Sequence, residues 1–232
     1  MSQLTSRTPL EKLTNVIALL SILLLQGCAR FPADIEMIIF DRLSIKFRTV
    51  GIINPSYHYF IVFEKDDDPS DGPLPALTRP WGNGWGVPTT LTHYIHINGG
   101  YASLFMNNPE DPFQPLPNGL VISLTSIEPN LMEVVINPEQ FFGGTVPERI
   151  DLNFIAVNEL ILDPNFEGTR TYDALGIIGN DFINIENFNL GNFTVRDGDN
   201  FFNEEPGDAS GSPTITDDLD FDYWEIIVER GT

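Results

Sequence analysis

Residues 43 to 49 read Leu-Ser-Ile-Lys-Phe-Arg-Thr, with Leu43, Ile45 and Phe47 on one side and Ser44, Lys46 and Arg48 on the other. A period of two is the spacing of a strand with one face buried. YHYFIVFEK (57 to 65) is apolar on both faces, as a central strand covered on each side is, and it ends in the turn cluster DDDPSDGP. THYIHINGGYASLFM (92 to 106) holds Asn98, Gly99 and Gly100 between two strand-like halves, a hairpin signal because these residues tolerate positive φ. LVISLTSIE, LMEVVIN, RIDLNFIAV, FINIENFNL and DYWEIIVER continue the pattern, for about nine strands.

Helix signals are scarce. With 19 Gly and 18 Pro in the chain, nearly every window long enough for three turns is interrupted. The best candidate is a single turn over residues 138 to 142, with Asn137 as N-cap and Pro138 at the first helical position. The pattern predicts an all-β fold, an antiparallel β-sandwich with long Pro/Gly-rich loops and one short helical turn. Residues 66 to 91 hold five Pro and four Gly, and 107 to 119 form a second Pro-rich crossing. Long loops on a rigid sandwich are where binding resides.

The N-terminus changes the picture. Arg7 and Lys12 precede the apolar run VIALLSILLL (16 to 25), which leads into LQGC. That run is short for a bilayer span, which needs about 20 apolar residues, and fits a signal-peptide apolar segment. LQGC resembles the lipobox of bacterial lipoprotein precursors, with Leu25, Gly27 and the acceptor Cys28. The resemblance implies a signal peptide over 1–27, lipidation of Cys28 and a membrane-proximal linker over 28–35, leaving 36–232 as one sandwich domain. Ala29 follows the cysteine in place of the Asp that retains lipoproteins at the inner membrane, so a source with two membranes implies outer-membrane residence. Cys28 is the only cysteine, which removes disulfides, cysteine metal clusters and thiol nucleophiles from the mature chain.

Charge excludes another class of partner. The chain carries 12 basic and 33 acidic residues, a net charge of −21, and this surface repels nucleic acid and anionic headgroups. A hydrophobic fraction of 42% with 17 Phe nevertheless predicts a large core. Acid recurs in a loop near 197–222, and between Arg196 and Arg230 there is no basic residue.

The strand, acidic turn and hairpin YFIVFEKDDDPSDGP and THYIHINGGY, followed by MEVVINPEQF and LNFIAV, resemble the sandwich group that includes DOMON domains and family-nine carbohydrate-binding modules. The resemblance covers roughly residues 35 to 160 and implies a ligand such as a sugar or haem.

Candidate chemistry then falls on a few residues. Trp81 and Trp85, in WGNGWG, either form a sugar-stacking platform extended by Tyr94 and Tyr101 or fold back to close the end of the core. Asp66, Asp68 and Asp71 either aim oxygens at a Ca²⁺, which takes about six to eight, or serve a solvated turn. The acidic segment from Asp197 to Asp222 is a looser calcium candidate. Of three histidines, His93 and His96 point to opposite faces of a strand, while His58 with Met106 or Met132 is the haem pair that the resemblance allows. A nucleophile with its base, a zinc-type histidine pair and a phosphate loop are all missing from the sequence. The reading is a non-catalytic, lipid-anchored envelope protein that binds carbohydrate, with a structural or assembly component binding another envelope protein as the alternative.

Overall fold

The alternating stretch first identified is strand β1 (Arg42–Thr49), the middle strand of one of two antiparallel sheets. In the computed structural model the described residues are 41–65, 68–76, 90–108, 110–111, 114–161, 163, 171–176, 179–199, 207 and 217–231. The signal and lipobox segment with Cys28, the linker, Asp66, Trp81, Trp85 and most of the acidic loop lie outside them. After β1 come β2 (His58–Glu64), β3 (His93–Asn98), β4 (Tyr101–Met106), β5 (Leu116–Pro117), β6 (Val121–Glu128) and β7 (Leu131–Ile136). The turn α1 (Pro138–Phe141) leads to β8 (Ile150–Val157), β9 (Tyr172–Ala174), β10 (Ile183–Ile185), β11 (Phe193–Arg196) and β12 (Phe221–Glu229). No described helix is long and apolar enough to cross a membrane.

The first sheet has the order β11-β12-β1-β7-β6, and the second β10-β8-β2-β3-β4-β5 with β9 beside β8. Leu43, Ile45 and Phe47 face inward, as do Met132, Val134 and Ile136 of β7 and Trp224, Ile226 and Val228 of β12. From the second sheet they meet Tyr59, Ile61, Phe63, Ile95, Ile97, Leu152 and Phe154. Phe47 lies at the centre, its ring 5.8 Å from Tyr59, 5.7 Å from Phe221 and 6.2 Å from Phe154. The buried Tyr59 hydroxyl donates to Asp218 O at 2.8 Å and accepts from Asn54 N, so its polar tip is satisfied.

The strand expected to be covered on both faces is so. Phe60, Val62, Tyr94, Ile155, Val157, Tyr172 and Ala174 form a second apolar cluster on the outer face of the second sheet. The hairpin turns at Gly99 and Gly100, with φ of 60° and 79°, the left-handed pair that a two-residue β-hairpin requires. In α1 the Asn137 side chain accepts from Gln140 N at 3.0 Å, and Pro138 occupies the first turn.

Among the described residues there are twelve strands, against the expected nine or so. β5, β9 and β11 have two to four residues, too few for alternation to show in the sequence. Of the stretch expected to be strand over 182–190, only Ile183–Ile185 pairs. Asn187, at φ 58°, is the non-glycine left-handed residue among those described, and it turns the chain out of the sheet.

Candidate functional site

β10 edges the second sheet and β11 edges the first, and residues 186–192 join them across the open side of the sandwich. Phe188 closes the core there: its N–H donates to Glu148 O at 2.7 Å, and its buried ring meets Phe142 at 5.9 Å and Phe193 at 6.0 Å. With Phe188 turned inward, the flanking side chains turn outward. Asn184, Glu186, Asn187, Leu190, Asn192 and Phe193 line a cleft of about 400 Å³. A second hollow of about 350 Å³, lined by Glu148 and Arg149, adjoins it and shares Glu186 and Asn187.

The polar groups are held in place from behind. Asn184 Nδ2 donates to Asp151 Oδ1 at 2.9 Å, and Asn192 Oδ1 accepts from Arg230 N at 2.6 Å. Each amide therefore keeps its other polar atom, a carbonyl on Asn184 and an NH₂ on Asn192, in a defined orientation. Arg149 Nη2 donates to Asp151 Oδ2 at 2.5 Å and to Asp68 O at 2.7 Å. Its side chain is only 9% exposed, yet Nε and Nη1 meet no acceptor among the described residues. Against these stands an apolar surface, with Leu190 71% exposed and Phe193 half-buried beside it. Fixed amides, a carboxylate and an apolar wall suit a neutral, hydroxyl-rich ligand. Two glutamates at the rim, on a chain of net charge −21, disfavour an anion.

Of the residues singled out from the sequence, those described do not meet at this cleft. Tyr94 is 3% exposed, its ring stacked on Phe105 at 5.1 Å and edge-on to Phe60 at 6.2 Å, and burial raises the phenol's pKa. It belongs to the outer apolar cluster and cannot extend a surface platform, because a ring covered on both sides has no face left for a sugar. Tyr101 is 78% exposed at the hairpin end, paired with Asn98. Four strand spacings, about 19 Å, separate β4 from β10, so Tyr101 is not part of the cleft.

Asp68 is spent on its own turn. Its Oδ1 accepts from Ser70 N at 2.9 Å and Ser70 Oγ at 2.6 Å, bonds that lower the carboxyl pKa. Asp71 is exposed, and no group of three His, Cys, Asp or Glu among the described residues is placed to hold a metal.

His93 and His96 do face opposite ways. His93 points into the sandwich against Phe141 and Phe142, at 5.2 and 5.3 Å, whereas His96 stacks on Phe60 at 4.5 Å on the outer face. Burial pushes both down to about 4, helped by Lys65 at His93 and by His58 at His96. His58 shares the outer face, its pKa also lowered by burial. The haem pairing is corrected by this geometry. Met132 lies in the core between the sheets, and Met106 pairs with the inward-facing His93, so the second sheet separates both methionines from His58.

Asn184, Glu186, Asn187 and Leu190 fall in the stretch 182–190 that the alternation assigns to a strand, whereas Asn192 and Phe193 lie beyond it. Four Asn and a Gly within residues 184–192 are a turn signal that breaks such a strand. That both sheet edges meet there is a matter of topology alone. Compared with known proteins, this chain matches no family model, no curated protein and no solved structure.

Proposed function

We propose that the protein is a non-catalytic, lipid-anchored envelope protein that binds carbohydrate in the cleft between β10 and β11. One observation carries this reading: Asn184 and Asn192 are fixed by protein hydrogen bonds while each retains a second polar atom beside Leu190 and Phe193. Sugars present hydroxyls in fixed directions and an apolar ring face, and such a surface serves both. The anchor rests on LQGC and Cys28, and a source with two membranes would hold the protein at its outer one. A glycan array followed by calorimetry tests the site, with Glu186→Ala and Leu190→Ala each expected to weaken binding about tenfold while leaving the denaturant midpoint unchanged. Full binding in both folded variants removes the cleft. Cys28→Ser is expected to leave unprocessed or soluble protein, and a normally processed, membrane-bound variant sinks the anchor.

A second reading, a structural or assembly component, is favoured by β6. It is the edge of the first sheet opposite β11 and exposes Ile122 and Ile127, with Leu120 just before it. Two register irregularities, at 121–123 and 126–128, blunt that edge without closing it. Cross-linking in intact envelopes through residue 122 or 127 would capture a partner on this reading and none on the first.

A further inference from the structure

We propose that His58 and His96 form a two-imidazole site for a divalent transition metal, copper(II) or zinc(II), on the outer face of the second sheet. The two residues sit diagonally on adjacent strands, His96 opposite Phe60 and His58 two positions before it. Diagonal neighbours on an antiparallel pair lie within reach of long side chains. Here the reach is made: His58 Nδ1 and His96 Nε2 are 2.9 Å apart, with the ring planes 25° from one another. Two nitrogens bound cis to one ion at about 2.0–2.1 Å lie about 2.9–3.3 Å apart, so the spacing is already that of a chelating pair.

Both rings are part-exposed, and Phe60, at 4.5 Å from His96 and 6.5 Å from His58, backs them both. Their mutual hydrogen bond is their one polar contact with described residues, so no described carboxylate or carbonyl sets either tautomer. On metal entry the donating ring moves its proton to its other nitrogen, both lone pairs turn to the ion, and no net proton is released. Burial, which lowers the pKa of both rings, keeps them neutral and ligating at neutral pH. Ser103, opposite His96 on β4 and exposed, offers a hydroxyl for a further position, with water for the rest. Imidazole ligands with open positions favour copper(II) most and accept zinc(II).

The test uses copper(II) and zinc(II) salts on the full chain. With copper(II), electron paramagnetic resonance should show coupling to two imidazole nitrogens, falling to one in His58→Gln together with at least a tenfold loss of affinity. Any copper held at Cys28 is common to both proteins and drops out of the difference. A denaturant midpoint confirms that the variant folds. One arm needs no substitution: titrating zinc(II) into the wild type should move the ring resonances of His58 and His96 together and saturate at one equivalent. Equal affinity in folded His58→Gln, or ring resonances unmoved by zinc(II), overturns the site.

Discussion

The two sheets have outer faces built from the same period-two pattern and put to opposite uses. On the first sheet, β1 sends Arg42, Lys46 and Arg48 outward between acidic neighbours. Lys46 pairs with Glu225 at 2.7 Å, Arg48 with Asp222 at 2.7 Å, and Ser44 donates to Glu133. The hydrogen bond from each base raises its pKa, as expected for a charge gaining a partner. On the second sheet the outward positions Glu64, Asp151 and Asn153 are buried, next to a full apolar cluster. Asp151 is held by Arg149 and Asn184, and Asn153 donates to Pro73 O and accepts from Leu175 N. Water screens the first set and not the second, so similar ion pairs have very different consequences. The histidine pair belongs to the second sheet, and the cleft lies where its edge meets that of the first.

The largest effect should come from breaking the buried side of this comparison. Asp151→Ala leaves the Arg149 charge without its carboxylate and should cost about 3–5 kcal/mol, read as a urea midpoint shift. Tyr94→Ala should cost a similar amount, about 3–5 kcal/mol, as buried aromatics do. A loss under about 1 kcal/mol in either would mean that the outer face opens to water.

Acid comes next. In the folded protein His93 and His96 titrate near 4, below the ordinary 6.5, so between these values the unfolded chain binds more protons. The stability is fully present above pH 6.5 and is lost as pH falls toward 4, by about 3 kcal/mol for the buried His93. Denaturant midpoints from pH 7 to 4.5 should show this, and His93→Asn should flatten the slope. An unchanged slope would assign the acid sensitivity to carboxylates.

Smaller again is the turn that opens the cleft. Asn187→Val should cost about 1–2 kcal/mol because a β-branched residue resists positive φ, whereas Asn187→Gly should be nearly neutral. The smallest effects belong to the solvent-facing positions. Lys46→Ala should cost under about 1 kcal/mol and fade with salt, and Tyr101→Ala should stay within about 0.5 kcal/mol. A Lys46 effect as large as that of Asp151 would erase the distinction between the faces.

Elements with enough length to repeat their pattern were readable from the chain alone. The alternation of β1, the doubly apolar β2, the Asn98-Gly99-Gly100 hairpin and the Asn137-Pro138 turn all depend on local chemistry, and all are in place. The opposed directions of His93 and His96 followed from the same period. Tertiary structure decided the rest, because it depends on which strands become neighbours. Nothing local to Tyr94 says that Phe105 and Phe60 will cover it, and nothing near His58 says that His96 will arrive at 2.9 Å. β5, β9 and β11 are too short to show a pattern and exist through the strands they pair with, and the cleft exists because two sheet edges meet at residues 186–192. Period and turn chemistry act over a few residues, whereas burial and site geometry are set by contacts between segments that the sequence keeps far apart.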